Sequence, residues 1–81
     1  MDTLDSMQTF VRVCELGSFA AASQRAGVAP SVVTRQIAAL ERRLGVKLLV
    51  RTTRRVALTA AGTTYLERCR VILNLVDAAE S

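Results

Sequence analysis

One helical pattern organises the rest of the chain around it: residues 30–44 read PSVVTRQIAALERRL. At about 100° per residue, the large apolar side chains of this stretch fall within roughly 60° of one another. They are Val33, Ile37, Leu40 and Leu44. The opposite side carries small, polar and cationic residues without an acid: Ser31, Thr34, Arg35, Ala38 and Arg42. The pattern predicts a helix with one face on a core and a cationic face directed outward.

Two shorter helices are predicted before this one. Apolar residues spaced three and four apart indicate a first helix over Leu4–Leu16. Small residues indicate a second helix over Phe19–Ala26, which Gly27 ends. Pro30 then suits the first turn of the third helix, because its φ is already helical and its missing N–H is not needed there. Two short helices joined by a tight turn that contains Gly make a helix-turn-helix.

The residues after the third helix predict a hairpin and one long helix. Leu48–Val50 and Val56–Leu58 are short apolar runs typical of strands, and the loop between them is rich in Arg. Ala60–Glu80 then follows helical periodicity. We therefore predict a mainly α fold: a winged helix-turn-helix of three helices and a two-stranded β wing over residues 1–59, followed by a linker and dimerisation helix over residues 60–81.

The positive charge is concentrated in one region. The chain of 81 residues has 11 Lys and Arg against 7 Asp and Glu, a net charge of +4. Between residues 35 and 55 there are seven basic side chains and a single acid, Glu41, whereas the remaining residues are acidic on balance. A polyanion would therefore meet one side of the protein. A solvated basic surface without a partner is the alternative that charge alone leaves open.

The residues needed for a metal or catalytic site are missing from the sequence. It has no His, no Cys-x-x-Cys pair and no Gly-rich phosphate loop. We expect no enzyme, no metal and no cofactor. Cys14 and Cys69 stand among apolar residues, and a disulfide between them is conceivable. Reduced thiols in a cytoplasmic protein are favoured, because the N-terminus lacks the charge of a secretory signal.

The last helix is too long for so small a core to cover. Its apolar residues recur at steps of three and four and continue past Ile72. Such a surplus stripe is expected to pack against a second copy of the chain. The predicted dimerisation residues are Tyr65, Leu66, Cys69, Ile72, Leu73 and Val76.

Several stretches together resemble the N-terminal DNA-binding domain of LysR-type transcriptional regulators. They are residues 4–10 (LDSMQTF), 17–23 (GSFAAAS), 33–51 (VTRQIAALERRLGVKLLVR) and 59–62 (TAAG). The resemblance covers essentially the whole chain. It departs at residues 29–32, where the family usually has Ser or Thr, then Gln, Ser or Pro, and Ala. Here the residues are Ala29, Pro30, Ser31 and Val32.

The resemblance implies a bacterial, cytoplasmic transcription factor that binds promoter DNA as a dimer, with pairing into a tetramer in the full-length protein. It implies a dyad-symmetric site, with the third helix in the major groove and the wing on the backbone or minor groove. A small-molecule effector would act only through a C-terminal domain that follows the linker helix in the family. We expect this chain to be the DNA-binding part of such a regulator.

The predicted DNA contacts lie on the third helix and the wing. Arg35 suits a bidentate contact to guanine, and small hydroxyls suit phosphates or bases. Wing arginines suit the backbone. The full set is Pro30, Ser31, Thr34, Arg35, Arg42, Arg51, Thr53, Arg54 and Arg55.

Two other functions are open from the residues alone. A winged helix can instead bind an acidic protein, or another helix through its long last helix, and such a module would lack the steep salt dependence of DNA binding. Binding at an anionic membrane surface would need a basic helix with a free apolar face. Because that face is used for the core here, we expect no membrane partner.

Overall fold

The computed structural model describes residues 2–52 and 55–81. Its elements are, in order, α1 (Thr3–Leu16), α2 (Phe19–Ala26), α3 (Pro30–Leu44), β1 (Leu49–Arg51), β2 (Val56–Leu58) and α4 (Ala60–Glu80). The two strands form one antiparallel sheet. This order confirms the predicted mainly α winged helix-turn-helix followed by a long helix. The bounds differ from the predicted ones by one residue at most, because local periodicity determines where each element begins and ends.

The turn between α2 and α3 reverses the chain in three residues. Gly27 has a φ of 73°, a left-handed conformation that a residue without Cβ adopts at little cost. The N–H of Val28 donates to the carbonyl oxygen of Ser23 at 3.0 Å and completes the end of α2. Ala29 is extended, with a ψ of 148°, and α3 begins at once with Pro30. This turn sets the angle at which α3 leaves α2.

The core lies where the first three helices, the wing and the first half of α4 meet. Phe10 of α1 is fully buried, and its ring contacts the ring of Tyr65 edge-on at a centroid distance of 5.3 Å. Such aromatic pairs add to the stability that burial itself provides. The buried apolar residues are Phe10, Val13, Phe19, Ala22, Val33, Ile37, Leu40, Leu48, Leu49, Leu66 and Cys69. All four helices and strand β1 contribute to this set, together with Leu48 just before β1.

Leu44 corrects the predicted core face of α3. The helical pattern places it with Val33, Ile37 and Leu40, which are buried, but the Leu44 side chain is 41% exposed. Leu44 is the last residue of α3, and Gly45 turns the chain away immediately after it. No described element covers this end of the helix closely enough to bury a fourth residue.

The wing is a short hairpin with a fixed register. Leu49 pairs with Leu58, and Arg51 pairs with Val56. Beyond the strands, the N–H and the hydroxyl of Thr52 both donate to the carbonyl oxygen of Arg55, at 2.8 and 3.0 Å. These bonds close the hairpin without a glycine. The predicted contact residues Thr53 and Arg54 lie outside the described residues.

The first half of α4 belongs to the same core as the helix-turn-helix. Thr59 caps α4 by accepting a bond from the N–H of Gly62 at 3.0 Å, and its own hydroxyl donates to the carbonyl oxygen of Lys47 at 2.7 Å. Leu66 and Cys69 are buried. The predicted division at residue 59 therefore does not mark a break in packing. No helix within residues 2–52 and 55–81 is both long and apolar enough to span a membrane.

Gly62 is required because α4 crosses the chain before β1 at very close range. A Cβ atom built on Gly62 would overlap the carbonyl oxygen of Leu48. We predict that Gly62→Ala lowers the free energy of unfolding by about 1–3 kcal/mol, the usual cost of overpacking, although Ala is the better helix former. Urea denaturation of the two proteins measures this change. Thr64→Ala, on the exposed side of the same turn, is the control, and a stabilised Gly62→Ala protein would contradict the close approach.

Candidate nucleic-acid interface

The outer face of α3 carries the predicted contact residues of the helix. Ser31, Thr34, Arg35 and Arg42 are all exposed, and so is Pro30 at the first position of the helix. The opposite face, through Val33, Ile37 and Leu40, is buried. Burial of one face therefore leaves the cationic face in solvent, where a ligand can reach it.

Thr34 is oriented by a bond within α3. Its hydroxyl donates to the carbonyl oxygen of Pro30 at 3.1 Å. In this rotamer the hydroxyl proton is engaged, so the oxygen presents lone pairs to a donor such as a base amino group. A phosphate contact would require the hydroxyl to leave Pro30. Ser31 does not cap the helix, because the capping position is occupied by Ala29.

The structure has a shallow groove beside Arg35 that the sequence analysis does not predict. It has a volume of about 180 Å³ and is lined by Val32, Arg35, Gln36 and Ala39. The spacing of these residues, at three and four along the helix, is the signal that could have revealed it. The inner edge is held in place because Thr9 of α1 donates to the side-chain oxygen of Gln36 at 3.0 Å.

The base of the wing forms a second cationic feature. Arg51 and Arg55 are both exposed there. The guanidinium carbon of Arg51 lies 4.2 Å from the centroid of the Phe19 ring, which is a cation–π contact. The sequence analysis predicts Phe19 only as the start of the second helix. Its position next to the wing depends on how α2 and the hairpin meet, which periodicity does not indicate.

Glu41, the one acid between residues 35 and 55, has a structural role. Its Oε2 accepts bonds from the N–H groups of Leu48 and Leu49, at 2.7 and 3.2 Å. Its Oε1 lies 3.6 Å from the Nζ of Lys47, and the Glu41 side chain is only 12% exposed. The carboxylate therefore joins the last turn of α3 to the start of β1. From the sequence Glu41 is only the single acid of the basic region, without a predicted role.

The cysteines lie on two neighbouring helices, Cys14 on α1 and Cys69 on α4. Both are free in the described part of the chain, so the conceivable disulfide is not formed. Burial raises the pKa of Cys14 from 9.0 to about 11 and also raises the pKa of Cys69. Burial likewise raises the pKa of Tyr65. Neither thiol is activated as a nucleophile.

Residues 2–52 and 55–81 contain no group of three potential acid, His or Cys metal ligands.

The predicted dimerisation residues divide into two groups. Leu66 and Cys69 are buried in the core of the chain itself and Tyr65 is packed against it, so these three face α1 rather than a partner. Ile72 is exposed, and Leu73 and Val76 are half-buried. This is a correction of the predicted stripe, whose first half the core uses.

Two more exposed residues of α4 were missed. Val71 is 60% exposed and Leu75 is 65% exposed. They are four residues apart and so lie on one face of the helix. That spacing is visible in the sequence, but the predicted dimerisation stripe runs through Cys69 and Ile72 instead. Together with Ile72, they leave three exposed apolar side chains on the outer face of α4.

The comparison with known families identifies the arrangement. A family described as "Bacterial regulatory helix-turn-helix protein, lysR family" matches residues 4–63. The chain belongs to the LysR family. This match spans all three helices of the helix-turn-helix unit, the wing and the entry to α4. The relatives described next carry the names of transcriptional regulators.

Curated relatives of this LysR-family chain are much longer than it. An HTH-type transcriptional repressor of Pseudomonas aeruginosa is 42% identical over 81 residues, which are 100% of this chain and 26% of that protein. The regulator CrgA of Neisseria meningitidis is 43% identical over 77 residues, 95% of this chain and 26% of that protein. The chain thus spans about a quarter of the length of these relatives.

Solved structures of LysR-family proteins share the fold closely. A crystal structure of the CbnR DBD–DNA complex has a TM-score of 0.91 and 42% identity, covering 99% of this chain and 91% of that one. The BenM DBD/catB site 1 DNA complex also has a TM-score of 0.91, with 34% identity, covering 98% of this chain and 87% of that one. The winged helix-turn-helix fold of the chain is that of the family.

We predict that Glu41→Leu lowers the free energy of unfolding by about 1–3 kcal/mol, because the N–H groups of Leu48 and Leu49 lose their acceptor while part-buried. Glu41→Gln retains an acceptor oxygen and should lose less. Urea denaturation measures both changes, and hydrogen exchange should quicken at the two amides. Glu67→Gln, at an exposed position of α4, is the control. Unchanged stability of Glu41→Leu would show that the carboxylate does not hold β1.

Proposed function

We propose that the chain binds double-stranded DNA in a sequence-specific manner, as the DNA-binding domain of a LysR-family transcription regulator. The observation that carries the proposal is the exposed face of α3, which presents Arg35 and Arg42 to solvent. Support comes from the CbnR and BenM domains, which share the fold over nearly the whole chain and were solved as DNA complexes. DNA binding would take place in the bacterial cytoplasm, where thiols stay reduced.

The third helix would lie in the major groove. Arg35 has the reach and the two parallel donors needed for the O6 and N7 atoms of guanine. Thr34 and Ser31 stand on the same exposed face and would contact a base or a phosphate. Pro30 has no N–H and no polar side-chain atom, so at this edge of the half-site it would offer only apolar contact. Base selection therefore rests mainly on Arg35 and Thr34.

The wing would follow the sugar–phosphate backbone or the adjacent minor groove. Arg51 and Arg55 at its base would contribute charge that neutralises phosphates and releases counterions. From the sequence we expect Arg54 to add to this charge and the hydroxyl of Thr53 to contact a phosphate. Arg42 on α3 would add a phosphate contact at the far side of the groove. These contacts position the protein and give the binding its salt dependence.

The outer face of α4 would join two copies of the chain. Val71, Ile72 and Leu75 present an apolar surface that a second α4 could bury, with Leu73 and Val76 at its margin. A symmetric dimer places two α3 helices on two half-sites, and therefore implies a dyad-symmetric promoter site. In this proposal residues 1–59 read DNA and residues 60–81 form the linker and dimerisation helix. Tetramer formation and response to a small-molecule effector would belong to the full-length protein.

We predict that Arg35→Ala blurs the DNA motif. Selection of bound duplexes from a random library, at two salt concentrations, should yield a palindromic motif for the unchanged chain. In the variant one position of each half-site should lose its preference, at a cost of about 1–3 kcal/mol toward the preferred base. Arg70→Ala is the matched control, because Arg70 pairs with Glu15 on α1 at 3.7 Å. No enriched motif, with weak and salt-insensitive binding, would favour a protein-interaction module instead.

We predict that a charge on the outer face of α4 separates the dimer. Val71→Glu or Leu75→Glu should shift the mass in sedimentation equilibrium from two chains to one, because burying two like charges in an apolar contact is unfavourable. Binding to a two-half-site duplex should weaken in parallel. Asn74→Glu, on an exposed flank of α4, is the control. A dimer that survives the charge at both positions would exclude this face as the interface.

A further inference from the structure

Phe19 occupies an unusual position for a core residue. It is the first residue of α2, and its side chain is only 6% exposed. One side of the ring is covered by the guanidinium of Arg51, at 4.2 Å from the ring centroid, rather than by another apolar side chain. Arg51 belongs to β1 and is itself exposed. A buried aromatic ring thus supports a solvent-exposed cation.

The stack restricts Arg51 without neutralising it. A guanidinium lying over an aromatic face is held by the negative potential of that face, while its N–H groups at the edge stay free to donate. The two ion pairs within residues 2–52 and 55–81 join Lys47 to Glu41 and Arg70 to Glu15, so neither engages Arg51. Among the residues that the structure describes, no acid pairs with Arg51, so an anion can meet its charge.

Arg51 stands at a concave surface. A notch of about 170 Å³ separates the start of α2 from the base of the wing. Its lining includes Ser18, Phe19, Arg51, Thr52 and Arg55. The residues that line the notch include two arginines and no acid, so the notch is positively charged. Phe19 forms part of its wall. A single tetrahedral anionic group, with oxygens that accept from both guanidinium groups, matches this lining.

We propose that Phe19 is a positioning residue that holds Arg51 ready to bind one phosphate of the DNA backbone in this notch. The proposal rests on the proposed DNA-binding function and adds a preorganised contact to it. A free Arg side chain must be ordered on binding, which costs affinity, and the stack orders the guanidinium beforehand. The aromatic ring contributes to DNA affinity only through Arg51.

The test is a double-mutant cycle in DNA affinity, made on the whole chain and on the selected duplex. Phe19→Leu should weaken binding about three- to tenfold, the cost of ordering one long side chain. In an Arg51→Ala background the same substitution should change affinity less than twofold. Arg51→Ala alone should lower the slope of log affinity against log salt by about 0.9, as expected for one phosphate. Phe19→Tyr keeps the ring face, so its DNA affinity should match that of the unchanged chain.

A core truncation on a different helix provides the matched control. Val13→Ala should lower stability like Phe19→Leu, since Val13 is fully buried on α1, but it should not couple to Arg51 in DNA affinity. All affinities are measured at a temperature where thermal denaturation shows each variant folded. Equal losses for Phe19→Leu in both backgrounds would reduce Phe19 to a core residue and overturn the proposal.

A second measurement needs no variant that could fail to fold. In the NMR spectrum of the unchanged chain, the ring current of Phe19 should shift the side-chain protons of Arg51 upfield. Shifts at ordinary arginine values would overturn the stack.

Arg51→Ala with an unchanged salt slope would overturn the phosphate contact while leaving sequence-specific DNA binding intact. Absence of DNA binding by the unchanged chain would instead overturn the proposed function.

Discussion

Burial of the apolar face of α3 is the constraint on which the rest of the structure depends. Val33, Ile37 and Leu40 are each at most 3% exposed. Full burial of such side chains stabilises a fold by about 1.5–3 kcal/mol each. Rotating α3 to bury its other face would place Arg35 in the core at a prohibitive desolvation cost. The cationic face is therefore held outward by the packing of the opposite side.

The charges around α3 are arranged so that little of the positive field is cancelled. Glu41 is the only acid in the region, and its carboxylate oxygens are occupied by two backbone N–H groups and by Lys47. The carboxylate stabilises the junction between α3 and β1, and its ion pair is with Lys47 rather than with Arg35 or Arg42 of the outer face. One residue thus fixes the wing relative to the helix.

The chain has two Phe, one Tyr and no Trp, and these rings make two different contacts. Phe10 and Tyr65 contact each other where α1 meets α4, and this contact ties the first half of α4 to the core. Phe19 supports Arg51 at the base of the wing. The core covers Leu66 and Cys69 in the first half of α4, whereas Val71 and Leu75 on its outer face are exposed. The proposed dimer contact therefore uses the outer face.

Local patterns in the amino-acid sequence were sufficient to predict the elements, their order and the cationic face of α3. These properties depend on local periodicity, on capping residues and on glycines, all of which act between residues close in the chain. The tertiary structure alone decided which apolar residues are covered: Leu44 is exposed, Leu66 and Cys69 are buried, and Leu75 faces outward. It also brought Glu41 to β1 and Phe19 to Arg51. Such contacts join residues distant in sequence, and their partners are set by the angles between packed elements, which no local pattern encodes.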